Sequence, residues 1–255
     1  MDTTITVGRD ALWAGDSGGT GPVAVLLHPG IADARSWDLL WRKLAGSLRL
    51  IRYDNRGYGR SPQPTEPYRQ LDDLTAVLDH FGLESAHLVG CSIGGANAID
   101  LALASPERVR SLTLLAPGLT GYQWTFDPDQ QAAAAAAEEA GEDAVLALSM
   151  RTWAAAGSDP FVTEIMRSAV RAWPAEAKFV READAAVGRL GDIAAPTVLM
   201  VGDRDLQALI ELDETIAAQI PGCELIRLPG SDHLPALRAP DEVAAVLLRQ
   251  TGLAT

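Results

Sequence analysis

Cysteine is scarce in this chain of 255 residues, which contains Cys91 and Cys223. A single possible pair does not make a disulfide framework, so we expect a protein of a reducing compartment, the cytoplasm. A chain of this length can bury roughly 70–75% of the surface that its unfolded form exposes, so its core needs no covalent support. The length therefore predicts one domain held together by its hydrophobic interior.

Basic residues are also in short supply. The chain has 21 Lys and Arg against 34 Asp and Glu, which gives a formal net charge of −13. This balance argues against binding to nucleic acids and against docking on anionic membranes, because both need basic patches. We interpret the charge as a feature that keeps the protein soluble.

Long apolar runs and clustered metal ligands are missing as well. No stretch approaches the ~18 consecutive apolar residues of a membrane span, and the start of the chain lacks the regions of a signal peptide. No group of Cys and His has the spacing of a metal site. We therefore expect a soluble protein that needs neither a metal nor a cofactor and whose partner is a small molecule.

Short apolar runs bounded by Gly and Pro alternate with longer amphipathic stretches. The runs predict strands, the stretches predict helices, and their alternation predicts an α/β fold: a mostly parallel sheet with helices on both faces. The first two short runs predict an antiparallel hairpin at one edge of the sheet. Strands are predicted over 3–7, 11–15, 22–28, 48–53, 86–91, 109–116, 197–201 and 224–228, and helices over 36–47, 68–81, 95–104, 206–220 and 240–250.

Residues 121–189 break this alternation, because they contain no convincing strand. Their six consecutive alanines, 132–137, predict a helix with Asp127 or Asp129 as its N-cap. Two or three further helices are expected to follow. The sequence therefore predicts a core domain from residues 1–120 and 190–255, with residues 121–189 as a helical cap over the strand ends.

The turn Gly90-Cys91-Ser92-Ile93-Gly94 fits the pattern G-x-S-x-G. Such a pattern is informative only between a strand and a helix, where a strained turn lifts the serine hydroxyl above the sheet. Both elements are predicted here. Ser92 is therefore the candidate nucleophile, whereas Cys91 is expected to be a small packing residue.

Of the four histidines, His233 is the candidate base. His80 and His87 fall in a helix and at the start of a strand, and His28 precedes a Pro-Gly loop. His233 lies in a loop between the last predicted strand and the last helix, from which an imidazole can reach the serine, and loops carry function disproportionately. Its partner is an acid just past the strand 197–201, where Asp203 and Asp205 compete.

These motifs resemble those of the α/β-hydrolase superfamily over about residues 3–119 and 195–255. The order Ser92, Asp205, His233 matches its Ser-Asp-His order, and Gly202 to Asp205 resembles its G-x-x-D turn, which favours Asp205. Residues 54–61 (DNRGYGRS) resemble its D-x-R-G-x-G-x-S turn.

The loop His28-Pro29-Gly30-Ile31 resembles the family's oxyanion loop. By position, the resemblance implies the backbone N–H groups of Gly30 and Ile93 as oxyanion donors. Pro29 departs from the family pattern and has no N–H, so Ile31 replaces Gly30 as the donor if the register differs by one. Asp232 stands where a glycine is common, and its charge either raises the pKa of the imidazole or faces solvent.

The resemblance implies a serine esterase or lactonase, similar to the 3-oxoadipate enol-lactonase and small carboxylesterase branch. Relatives that use an aspartate nucleophile are excluded by Ser92. Alternatives with the same triad are a C–C bond hydrolase and a cofactor-free haloperoxidase, and a third is a non-catalytic binding protein on this fold. Predicted substrate contacts are Ile31, Trp124 and Trp153, with Trp173 as a further possible lining residue.

Overall fold

The structure is a computed structural model that describes residues 1–125 and 127–253. Its strands are β1 (Asp2–Val7), β2 (Asp10–Asp16), β3 (Val23–Leu27), β4 (Arg49–Tyr53), β5 (Ala86–Cys91), β6 (Val109–Leu115), β7 (Thr197–Gly202) and β8 (Glu224–Leu228). They form one sheet in the order β1-β2-β4-β3-β5-β6-β7-β8. β2 pairs antiparallel with β1 and β4, and every other neighbouring pair is parallel. The predicted sheet and its edge hairpin are confirmed.

Two of the helices begin at clearly different residues from those predicted. The helices are α1 (Asp38–Leu44), α2 (Gln70–His80), α3 (Ile93–Ala104), α4 (Pro128–Ala140), α5 (Glu142–Trp153), α6 (Pro160–Phe179), α7 (Gln207–Gln219), α8 (Pro235–Arg238) and α9 (Pro240–Gln250). The helix predicted over 36–47 is split, because Ala34–Trp37 first form a 3₁₀ turn. α3 begins two residues earlier than predicted, because its first turn includes the glycines that follow Ser92.

Helices cover both faces of the sheet because its strands are apolar on both sides. Along β3, Val25 and Leu27 belong to a buried cluster with α2, α3 and α7, whereas Ala24 and Leu26 belong to a second cluster with α1 and α9. Successive side chains of a strand point to opposite faces, so a near-continuous apolar run favours burial on both.

Residues 121–189, which we call the helical insertion, contain α4, α5 and α6. The alanine run lies in α4. Asp127 accepts the N–H of Gln130 there, and the Gln130 side chain accepts the N–H of Asp127. Asp127 rather than Asp129 is therefore the N-cap. α4 is exposed except at Ala137, and the described part of the insertion makes one isolated β-bridge.

Helices α5 and α6 pack against two loops of the sheet. Leu146, Val162 and Met166 of the insertion form a buried apolar cluster with Ile31 and Leu234. One of these loops follows β3 and the other follows β8, so the insertion lies at the carboxyl ends of the parallel strands. None of the helices in the described residues is long and apolar enough to span a lipid bilayer.

A buried ion cluster joins the edge hairpin to α2. The guanidinium of Arg56 binds Asp10 at 2.7 Å and Asp73 at 2.6 and 2.9 Å, and it lies over the ring of Tyr68. The three charged side chains are at most 6% exposed. Because one arginine serves two buried carboxylates, its loss would leave both without a countercharge.

We expect Arg56→Met to lower the free energy of unfolding by about 3–5 kcal/mol, the usual cost of breaking a buried ion pair. Denaturant unfolding monitored by circular dichroism measures it. The matched control is Arg60→Met, because Arg60 pairs with Asp2 on the surface, where such a pair contributes less than about 1 kcal/mol. Equal small losses in both variants would show that the buried cluster does not stabilise the fold.

Candidate active site

Ser92 lies between β5 and α3 with φ 52° and ψ −118°. A residue with a side chain rarely adopts positive φ, and such strain gathers at functional turns. A Cβ atom on Gly90 would lie 2.3 Å from the carbonyl oxygen of Gly94, and one on Gly94 would lie 2.2 Å from that of Leu27. Only glycine fits at both positions, and the predicted strand, turn and helix around Ser92 are confirmed.

The imidazole of His233 pairs with Asp205. Its Nδ1 lies 2.7 Å from Oδ2 of Asp205, and both side chains are buried. A carboxylate only accepts hydrogen bonds, so the neutral imidazole carries its proton on Nδ1 and keeps a lone pair on Nε2. Asp203 instead accepts the N–H of Gly230 at 2.7 Å. Asp205 thus contacts the imidazole, whereas Asp203 braces the loop that carries it.

Ser92 reaches the same edge of the sheet as His233. The thiol of Cys91 lies 3.6 Å from the backbone carbonyl oxygen of His233, so β5 and the histidine loop are in contact. The Ser92 hydroxyl has no hydrogen-bond partner among the described residues. Catalytic hydrogen bonds often tighten only when substrate binds, so proton transfer from Ser92 to His233 stays a prediction. The ring of Trp153 covers the imidazole, with 4.7 Å between the ring centroids.

The loop after β3 places Gly30 beside Ile93, since a Cβ atom on Gly30 would lie 3.4 Å from Cγ2 of Ile93. His28 holds this loop. Its Nε2 accepts the N–H of Asn55 at 3.0 Å, which leaves the proton on Nδ1 to bind the carbonyl oxygen of Pro29 at 2.9 Å. The C=O and N–H of a planar trans peptide point in opposite directions, so this bond also fixes where the Gly30 N–H points.

The turn over residues 54–61 braces the same loop. The carboxylate of Asp54 accepts the N–H of Ala34 at 2.7 Å and that of Arg60 at 2.9 Å. Burial raises the pKa of this carboxyl. The ring of Tyr58 packs against His28, with 5.1 Å between centroids. The motif that resembled a family turn is therefore a support for the predicted oxyanion loop.

Asp232 does not face solvent, although the sequence left that alternative open. It is buried and accepts two hydrogen bonds of 3.0 Å from the guanidinium of Arg238. Its Oδ2 also accepts the N–H of Ala156, in the helical insertion, at 2.9 Å. Asp232 therefore ties the histidine loop to the insertion. Arg238 is near in sequence, but no sequence signal could have indicated Ala156.

A cavity of about 650 Å³ opens beside Ser92. Trp124 and Trp153 line it, where the sequence predicted substrate contacts. Two other predicted lining residues, Ile31 and Trp173, are not among the described residues that line it. The Ile31 side chain is buried in the apolar cluster under α5 and α6 instead.

One wall of this mostly apolar cavity is polar. Gln70, Asn97 and Asp100 contribute to it from α2 and α3. The carboxylate of Asp100 accepts the hydroxyl of Thr120 at 2.8 Å. Burial raises the pKa of Asp100 to about 6, so the group is still mostly ionised at neutral pH.

Residues 24–246 match the family model described as the alpha/beta hydrolase family. The chain belongs to this family. A pimeloyl-[acyl-carrier protein] methyl ester esterase of Nitrosospira multiformis is 28% identical over 253 residues, 92% of this chain and 96% of that protein. A 2-hydroxymuconate semialdehyde hydrolase of Pseudomonas sp. (strain CF600) is 38% identical over 122 residues, 43% of each chain, so that match spans less than half of the relative.

A solved structure of the enol-lactonase from Burkholderia xenovorans LB400 superposes on this alpha/beta hydrolase with a TM-score of 0.82. The superposition covers 98% of this chain and 100% of the other, at 21% sequence identity. At this level of sequence identity the structural similarity shows the fold alone. It agrees with the mostly parallel sheet and the helices that cover it.

Sequence reasoning missed several residues around the predicted oxyanion loop of this alpha/beta hydrolase. Asp54 and Tyr58 belong to a recognised motif, yet their contacts with the loop depend on the tertiary fold. Glu176 carried no signal at all, since its hydrogen-bond partner Tyr58 lies 118 residues away.

We expect Asp205→Asn to lower kcat by at least ~10²-fold, because an amide at that position favours the wrong imidazole tautomer; the same change in a serine protease triad costs about 10⁴-fold. Asp203→Asn is the matched control and should cost far less, since its contact is with a backbone N–H. Measuring kcat for both variants on one activated ester shows which carboxylate orients His233. A larger loss at Asp203 would overturn the assignment of Asp205.

Proposed function

We propose that this alpha/beta hydrolase is a serine hydrolase that cleaves a carboxylic ester or lactone through an acyl-enzyme on Ser92. The observation that carries the proposal is the buried pair of Asp205 and His233, 2.7 Å apart, at the same sheet edge as the strained Ser92 turn. His233 takes the hydroxyl proton as the Ser92 oxygen attacks the carbonyl carbon. Asp205 keeps Nδ1 protonated and stabilises the imidazolium that forms.

Collapse of the tetrahedral intermediate expels the leaving alkoxide, which takes the proton from His233. A water molecule then attacks the acyl-enzyme with His233 again as the base, which releases the acid and restores Ser92. The N–H groups of Gly30 and Ile93 are the proposed donors to the oxyanion in both steps. Each such donor is worth about 3–4 kcal/mol of transition-state stabilisation.

The cavity supports a small, fairly hydrophobic acyl substrate. Its volume of about 650 Å³ is in the range of sites for small molecules. Its tryptophans offer apolar contact, and its polar wall offers hydrogen bonds to a carbonyl or hydroxyl group. The similar proteins include a methyl ester esterase and an enol-lactonase.

A C–C bond hydrolase is the second candidate, because of the likeness to the 2-hydroxymuconate semialdehyde hydrolase. Asp100 on the cavity wall counts against it, since a carboxylate there repels an anionic substrate. Turnover of a meta-cleavage diketone compared with that of a p-nitrophenyl ester separates the two. Faster cleavage of the diketone would favour the second candidate.

We expect a fluorophosphonate probe to label Ser92, because only an activated serine reacts with it at a useful rate. Peptide mapping by mass spectrometry locates the adduct. Ser92→Ala should abolish labelling and ester turnover, whereas Ser105→Ala, at the other end of α3, should retain both. An adduct elsewhere, or none on the folded protein, would contradict the proposed nucleophile.

We expect Trp124→Ala to change the preference for acyl chain length without preventing labelling of Ser92, because Trp124 lines the cavity at its exposed side. Relative kcat/KM values for p-nitrophenyl esters of increasing length measure the effect. Phe161→Ala is the control, since Phe161 is an equally exposed aromatic residue of the insertion that does not line the cavity. An unchanged profile in Trp124→Ala would remove this residue from the specificity site.

A further inference from the structure

Two side chains from outside the oxyanion loop lie against the carbonyl oxygen of Gly30. The indole N–H of Trp173 donates to it at 2.7 Å, and the hydroxyl of Tyr58 lies 3.3 Å from it. Trp173 belongs to α6 of the helical insertion and lies 143 residues further along the chain. The insertion therefore contacts the backbone of the loop that holds the proposed oxyanion donor.

Gly30 needs such contacts because glycine has the least restricted backbone. The peptide before it is already held, since the Pro29 carbonyl accepts hydrogen bonds from His28 and from the N–H of Ala32 at 3.1 Å. The peptide after it is held through the carbonyl that Trp173 binds. Together the two planar peptides determine φ and ψ of Gly30, and with them the direction of its N–H.

The position of Trp173 is itself supported by polar contacts. Glu176 lies one helical turn further along α6, on the same face. Its carboxylate accepts the hydroxyl of Tyr58 at 2.5 Å and the side-chain amide of Gln70 at 2.8 Å. Gln70 in turn accepts from Asn97 of α3 at 2.8 Å. Burial raises the pKa of Glu176, which fits a group withdrawn from water.

We infer that Trp173, with Tyr58 and Glu176, is a positioning residue for the oxyanion hole, so that the helical insertion takes part in transition-state stabilisation as well as in substrate choice. The inference rests on the proposed serine-hydrolase mechanism. Trp173 does not line the described cavity, so its contribution does not pass through contact with the substrate. Its loss should therefore weaken binding of the transition state more than binding of the substrate.

The test is Trp173→Phe, which removes the indole N–H and keeps an aromatic ring. We expect kcat on an activated ester to fall about 10-fold, below the 10²–10³-fold loss of a direct oxyanion donor, while KM changes less than twofold. The affinity for an arylboronic acid, which forms a tetrahedral adduct on the serine, should fall by the same factor as kcat/KM. A melting curve shows whether the fold is intact.

Two further variants test the inference even if Trp173→Phe does not fold. Tyr58→Phe should show the same signature with a smaller loss, because the Tyr58 hydroxyl donates its one proton to Glu176 and so acts on Gly30 only through helix α6. Glu164→Gln, also on α6 but exposed and paired with Arg35 rather than with the Gly30 carbonyl, should leave kcat and boronate affinity unchanged.

The outcomes separate the inference from the proposed function. If the unmodified protein neither turns over esters nor labels at Ser92, the proposed function itself fails. The inference is overturned if the unmodified protein turns over esters and labels at Ser92, but Trp173→Phe and Tyr58→Phe keep kcat and boronate affinity within twofold of its values. A rise in KM at constant kcat also overturns it, because that pattern indicates substrate binding. Parallel losses of kcat/KM and boronate affinity support it.

Discussion

The approach of Gly94 to the end of β3 is the constraint on which the site depends. The Leu27 carbonyl oxygen comes so close that a Cβ atom on Gly94 would lie 2.2 Å from it. No other residue fits, so the turn that carries Ser92 is pressed against the strand that leads into the oxyanion loop. Gly202 repeats this arrangement in the other half of the site, where a Cβ atom would lie 2.1 Å from the Ser231 carbonyl oxygen. Each close approach joins two loops that parallel strands deliver to the same edge, and the proposed catalytic groups stand on those loops.

Buried carboxylates hold these loops in place. Asp54 accepts backbone N–H groups beside the oxyanion loop, and Asp232 binds Arg238 and a backbone N–H of the insertion. A buried charge is tolerated only when its hydrogen bonds are satisfied, so each of these groups fixes its neighbours as well as itself. Asp213 is different: both of its oxygens are buried without a partner among the described residues, and burial raises its pKa well above the usual range.

The parts that could be predicted from the sequence are those with a local cause. Apolar runs specify strands, and the glycines around Ser92 specify a turn that tolerates no side chain, so both were predicted at nearly their observed positions. Asp205 was preferred to Asp203 by motif, and the hydrogen bond to His233 agrees. Contacts between distant segments had no such signal. Ile31 was predicted to contact substrate, yet it packs under α5 and α6, because the insertion turns an apolar face toward the loop after β3. Its packing depends on a helix more than 100 residues away, which periodicity cannot place.

The insertion combines two sets of residues with different constraints. In the first set, Trp153 contacts the imidazole, Ala156 contacts Asp232 and Trp173 contacts Gly30. Each of these residues therefore faces a loop of the proposed active site. Tyr122 and Trp124 instead stand exposed at the cavity, next to the poorly buried α4. A change in the first set disturbs the geometry on which the chemistry depends, whereas a change in the second set alters only what the cavity can accept. Substitutions around Trp124 and α4 therefore change substrate choice with the least disturbance of the active-site loops. Helix α6, in contrast, cannot shift without also moving the carbonyl that it binds on Gly30.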